Sequence, residues 1–556
     1  MPGPGNVIGV ACNEGEKDLA REFFELFKTP WEFYRPEHTY PVVVSTLPRL
    51  TAVKANLVVI YSSCPDGGAA ENASGPAGAY LEYRDVVFPV YGKVRTFESG
   101  GATLARLHRS SAAVAIATYR PPVTVLAGYD LFQEVSLLLS AGQPSRNALM
   151  PTMEIHICML RNWMAEAGIP FVEVPAAPPS RRFAVCLTHD VDFVRIRDHK
   201  LDRTMWGFVG RASVGSLWRL VKRDISWARC LKNWKATLML PAVHMGICKD
   251  FWFEDFGKFA DLERDLKATY FFIPFKNRPG ENLPRRHPER RAAYDVTEEK
   301  GLLQKLTGMG FETGVHGIDA WHNADKGREE HRRLAQTTGE SRLGVRMHWL
   351  CFDASSPRIL EEAGFDYDST FGYNDAVGYR AGTSQVFLPI GARRLLELPL
   401  HLQDTALFYS RRLGLTESQA WKKCGLLISN AAAYGGVLTI LWHTRSLAPE
   451  RLWGAFYVRL LDALKTEQVW FATARQITDW FRSRRALAFR HVDFTGGRLR
   501  LVLDYEPSEY GKPNLTLRIH TPARGPSTDV LRGGHTFTDI PWTGDRVMEI
   551  PVAAGD

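Results

Sequence analysis

From position 183 to about 480, apolar runs repeatedly stop on polar clusters. Examples are "FAVCLTHD", "KATYFFIPF", "FETGVHG", "RLGVRMHW", "FDYDST", "LLELPL", "GGVLTILWH" and "QVWFAT". Short unbroken apolar runs fit strands covered on both faces, and the stretches between them carry helical spacing. Strand and helix alternating over this length predict an α/β fold. The specific expectation is a deformed TIM-like (β/α)7-8 barrel over 181–482.

The flanks follow other patterns. Residues 1–175 read as a separate N-terminal α/β domain of unknown role. "YPVVVST" (40–46) and "ANLVVIYSS" (55–63) predict strands there, and "PTMEIHICMLRNWMAEAG" (151–168) predicts a helix opened by Pro151 and stopped at Gly168. "VPAAPPSRR" (174–182) is a Pro-rich boundary. Past 485, "RALAFRHVDF", "RLRLVLDYE" and "NLTLRIHTPA" alternate with period two, with "GG" and "YGKPN" as turns. That pattern predicts a small antiparallel β module over 485–556. Within the barrel, 195–250 is a helical insertion where tryptophans interleave with about a dozen Lys/Arg against four Asp. Its plainest reading is a solvated hairpin packed on the barrel. A lid, or peripheral contact with anionic lipid, also suits that composition.

Size and charge narrow the picture. The chain has 556 residues, too many for one core, and a formal charge of +8. A mild basic excess favours anionic partners, yet no basic motif points to nucleic acid, so none is expected. The eight cysteines are scattered without a CxxC pair, which suits free thiols in a reducing compartment. No basic n-region precedes an apolar core at the start, and no window has the apolar length of a spanning helix. A cytoplasmic protein is expected.

The polar clusters carry the chemistry. "THDVD" supplies Asp190 and Asp192, "GVHGIDAWHN" supplies His316 and His322, and "GVRMHW" supplies Arg346 and His348. "GFDYDSTFGY" supplies Asp368, and "LTILWHT" ends an apolar strand in His443. Singly, each has a bland explanation: a satisfied histidine, a salt-bridge arginine, a helix cap. Five such clusters, each after a strand, point instead to one shared site at the carboxyl ends of a parallel sheet.

The order of these motifs resembles the polysaccharide deacetylases, the NodB-homology or carbohydrate esterase family 4 superfamily, in a divergent HDVD-type branch. The resemblance covers about 183–480. It implies a metal-dependent hydrolase that removes N-acetyl groups from an amino-sugar-containing glycan or its precursor. Asp190 then matches the catalytic base, Arg346 its partner, His443 the acid and Asp368 an orienting aspartate. Asp192 and His316 match metal ligands. His322 is the choice for the third ligand, with His331 and His348 as alternatives for that position. The family's two aspartates are adjacent, whereas Val191 separates them here. His322 stands six residues after His316 rather than four. The implied cofactor is a divalent ion, Zn2+ first, and the implied substrate a carbohydrate; the basic tryptophan-rich insertion and the net charge suit an anionic or lipid-linked one. The other readings are hydrolysis of a non-sugar C–N amide or ester on the same barrel, and a catalytically inactive carbohydrate-binding protein.

Overall fold

The computed structural model describes residues 5–47, 50, 53–63, 74–75, 78–98, 100–223, 225–281, 291–448, 450–451, 453–506, 514–522 and 535–552. Cys64 and most of the "YGKPN" turn lie outside the described residues.

The central feature is a parallel sheet. Its order is Leu396–Glu397, Tyr367–Asp368, Val345–Met347, Glu312–Gly317, Ala268–Phe272, Phe183–Val191, Val437–Leu441 and Leu402–Gln403, with Val469–Phe471 also pairing with Phe183–Val191. Every pairing is parallel. All nine residues of Phe183–Val191 are buried, because helices cover its outer face and inward-pointing side chains fill the other. Its neighbours on either side are the second strand of the region and a late one, the ordering of a sheet that curls back on itself.

The curl is closed by chain, not by a ladder. Leu396–Glu397 pairs with Tyr367–Asp368, and Leu402–Gln403 pairs with Val437–Leu441. These two short strands are the ends of one run, "LELPLHLQ", which Pro399 interrupts. Proline has no N–H to give to a ladder, so the run bends and its halves serve opposite edges of the sheet. The sheet is therefore a curled parallel half-barrel whose two end strands are joined by this run.

Around it, a nine-stranded mixed sheet occupies the N-terminal part. Its strands Trp31–Phe33, Ile8–Ala11, Tyr40–Ser45, Ala55–Tyr61 and Val123–Ala127 are parallel, and the remaining four run antiparallel. The last residues form two three-stranded antiparallel sheets. One of them takes in Phe171–Glu173 from the N-terminal part, paired with Leu515–Pro522. Between the first two central strands the chain departs through helices Arg203–Gly210, Ser216–Val221, Trp227–His244 and Phe251–Leu262. None of the described helices is long and apolar enough to cross a membrane.

Candidate metal centre

Side chains alternate along a strand, so Thr188 and Asp190 face the inside of the curl while His189 faces out. His189 is a structural histidine. Its Nδ1 lies 2.6 Å from the Trp442 carbonyl and its Nε2 2.8 Å from Glu263, both outside the site. Asp190 is met from across the sheet by Arg346, whose Nη1 donates to Asp190 Oδ1 at 3.2 Å and to Thr188 Oγ1 at 2.6 Å. Two strands lie between these residues. Three interstrand steps on a flat sheet would separate them by about 14 Å, so the contact measures the curl. The Arg346 guanidinium is wholly buried. It is also fixed by Nε donating to the Ser369 carbonyl at 2.9 Å and Nη2 donating to Ser369 Oγ at 2.8 Å.

Beside this pair, Asp192, His316 and His348 converge. One donor atom from each lies within 4.8 Å of the others. His316 Nε2 and His348 Nε2 stand 3.5 and 3.4 Å from Asp192 Oδ1, a buried oxygen that accepts no hydrogen bond from the described residues. Donors about 2.0–2.2 Å from a tetrahedral ion are about 3.3–3.6 Å apart, so these separations fit the edges of such a shell. His316 Nδ1 lies 2.9 Å from the Arg346 carbonyl, which favours the tautomer that presents the Nε2 lone pair to the centre. Burial would raise the Asp192 carboxyl, but the imidazoles of His348, His316 and His443 hold it well below the usual carboxylate range. One carboxylate and two imidazoles clustered in this way fit a divalent cation.

His443 closes the other side. Its Nε2 is 3.8 Å from Asp192 Oδ2, and its Nδ1 is 2.7 Å from Asp404 Oδ1. The buried Asp404 also accepts from the His443 backbone N–H at 2.9 Å and from Ser446. Burial lowers the His443 pKa, but the charge and hydrogen bond of Asp404, with Asp192 and Asp190 behind, push it up to about 9.

Asp190, Asp192, His316, His348 and His443 share the wall of a cavity of about 370 Å³. Arg203, Arg211, Arg291, Arg412, Arg445 and Arg451 also line it, and among the described lining residues the carboxylates are Asp190 and Asp192. Trp349 reaches the cavity from a left-handed backbone (φ 64°), unusual for a large side chain and of the kind that gathers at functional sites.

Two expected residues lie elsewhere. His322 does not join the cluster: its Nε2 sits 3.2 Å from Asp319, at the turn leading into helix Ala324–Thr338. Position 320, four after His316, is alanine, and the third donor comes from another strand end as His348. His331, the other alternative, lies within that helix, its ring against Phe365. Asp368 is buried behind the site, where Thr370 donates to it at 2.5 Å, and it does not line the cavity. Burial raises it, and burial together with the Asp368 charge raises its neighbour Glu397. Sequence reasoning missed Asp404 altogether, although it directly follows the short strand Leu402–Gln403.

The site is thus a curled parallel α/β sheet with an Asp/His/His cluster at its carboxyl edge. Solved structures that align with the chain include proteins described as polysaccharide deacetylases and an allantoinase. A protein assigned as a polysaccharide deacetylase from Mycobacterium smegmatis is 20% identical, over 56% of this chain and 95% of its own, with a TM-score of 0.35. Agd3, a carbohydrate deacetylase, aligns over 99% of both chains at 8% identity and a TM-score of 0.38. A carbohydrate esterase family 4 pseudoenzyme from Bacillus anthracis aligns over 54% of this chain and 66% of its own, at 11% identity and a TM-score of 0.24. No family model matches the sequence, and no curated protein is similar to it.

Proposed function

We propose that the chain is a metal-dependent N-deacetylase of an anionic amino-sugar glycan or its precursor. The observation that carries this reading is the meeting of Asp192, His316 and His348 in one cavity, with Asp190 and His443 on either side. A divalent ion held by those three residues supplies Lewis acidity and makes water a stronger acid. Asp190, clamped by Arg346, takes the proton of the attacking water as its oxygen bonds to the acyl carbon. His443 Nε2 gives a proton to the amide nitrogen as the C–N bond breaks, so the amine leaves neutral and acetate remains. Asp404 holds the His443 ring for that transfer and favours its charged form. The arginine-rich lining supports an anionic substrate, because six arginines and two carboxylates, Asp190 and Asp192, are among the described residues that line the cavity.

The test is acetate release from a panel of N-acetylated glycans, neutral and uronate- or phosphate-bearing, beside simple amides and esters. Metal content is measured on the same samples. Turnover of the anionic sugars with about one ion per chain is expected. Turnover confined to simple amides or esters, or a full complement of metal with no turnover of any substrate, would overturn the reading.

A further inference from the structure

The insertion between the first two central strands is a helical hairpin with two contrasting faces. Helix Arg203–Gly210 runs through a π-helical turn, Arg211–Gly215, into Ser216–Val221, and Trp227–His244 returns beside it. The inner face is conventional. Phe208, Ala212, Ala236, Leu240 and Val243 form a buried cluster, and Asn233 Nδ2 donates to Ser216 Oγ at 2.7 Å.

The outer face is apolar as well. Trp206, Val214, Trp218 and Val221 recur at helical spacing on the first arm, with Trp218 59% and Val221 75% exposed. On the second arm Trp227, Leu231, Trp234 and Leu238 recur at steps of four, three and four, with Trp227 57% and Leu238 81% exposed. Trp234 Nε1 donates to the Ser213 carbonyl at 3.2 Å, which ties the two stripes together across the hairpin. Most of the exposed large apolar side chains among the described residues fall between 201 and 253. A soluble surface rarely gathers so many in one place without a partner.

Charge identifies the partner. Between 203 and 247 the sequence holds eight Lys/Arg and a single acid, Asp224. Lys222 Nζ sits over the Trp218 ring at 3.5 Å, and Lys232 and Lys235 are exposed between Leu231 and Leu238. Tryptophan and aliphatic stripes flanked by lysine and arginine suit a bilayer interface, where rings enter the headgroup layer and cations meet lipid phosphates. The helices are not apolar enough to span, so the hairpin lies on the surface.

We propose that this hairpin docks the protein on an anionic lipid bilayer. The same helix sends Arg203, Thr204 and Arg211 into the wall of the metal-centre cavity, so docking brings that cavity to the membrane surface. That last consequence, a substrate presented from the membrane, rests on the deacetylase reading; the docking itself does not.

The experiment is flotation of the full chain with phosphatidylcholine vesicles, with and without phosphatidylglycerol. Two variants accompany it, Trp218→Ser/Trp227→Ser/Leu238→Ser and Lys222→Glu/Lys232→Glu/Lys235→Glu, both checked for an unchanged melting temperature. Wild type is expected to float with the anionic vesicles and far less with the neutral ones. Each variant should lose binding by about tenfold or more. The His316→Ala protein should float like wild type whatever its activity, which separates a failure of docking from a failure of the deacetylase reading. Absence of flotation, equal flotation with both vesicles, or light scattering that shows the stripes holding a second copy of the chain would overturn the proposal.

Discussion

Arg346 lies in strand Val345–Met347 and His348 directly past its end, and both reach the Asp190–Asp192 segment. One grips Asp190 and the other joins Asp192 and His316. This placement was legible in "GVRMHW", and the position at a strand end would have ranked His348 above His322, which lies beyond its strand in a turn. Replacing His348 with alanine should therefore strip the metal, as should His316→Ala and Asp192→Ala, whereas His322→Ala should leave metal content unchanged by elemental analysis. For His443 the expectation is different. It stands beside the cluster and is held by Asp404, so His443→Ala should keep the metal and lower kcat by roughly 10²- to 10⁴-fold. Asp404→Asn should fall in the same direction by less, because the ring stays and loses only its charged support. Asp404 left little trace in the sequence: a single carboxylate after a two-residue strand has no periodicity to announce it.

At the scale of elements, the central strands were readable because double burial leaves long apolar runs, as in Phe183–Val191 and Val437–Leu441. The closure was not, because "LELPLHLQ" reads as one strand until Pro399 is weighed, and its two halves pair with strands far apart in sequence. Helix Leu131–Leu139 shows another quantity hidden from pattern. Glu134 is buried on it and accepts from the backbone N–H groups of Tyr91 and Gly92. Burial raises this carboxyl to about 7 despite those donors. The folded state therefore holds the proton more tightly than the unfolded chain. The associated stability is fully present below the unfolded pKa, near 4.5, and is lost as pH rises through 7. Glu134→Gln keeps an oxygen for both amides and removes the ionisation. Its stability in urea should change less between pH 5 and 8 than that of wild type, by on the order of 2–3 kcal/mol.

Over the whole molecule, sequence divides the chain at a Pro-rich stretch and at 485, but the contacts cross both places. Phe171–Glu173, just before the first boundary, is a strand of a C-terminal sheet. Arg484, just before the second, is buried and donates to the carbonyls of Val174, Glu25 and Leu26. Such seams are invisible to local pattern because the strands and side chains that meet there lie hundreds of residues apart in the sequence. Their centre is Glu173, which accepts from Arg161 Nη2 at 2.8 Å and lies 3.0 Å from His520 Nε2, with all three side chains largely withdrawn from water. Burial opposes its charge, yet Arg161 and His520 hold the Glu173 carboxyl well below the usual carboxylate range. That contribution is present above the unfolded pKa and disappears as pH falls through the folded one, the opposite sense to Glu134. Glu173→Ala leaves Arg161 and His520 facing each other in the seam, and breaking a buried pair in this way costs about 3–5 kcal/mol. If the C-terminal sheets were an independent unit, the loss would appear only in probes of residues past 485. Because Phe171–Glu173 and helix Thr152–Glu166 belong to the N-terminal part, the urea midpoint reported by Trp163 in that helix should fall as well. Hydrogen exchange in Glu173→Ala should rise on both sides of the seam, and a change confined to 515–522 and 535–542 would show that the parts are not coupled.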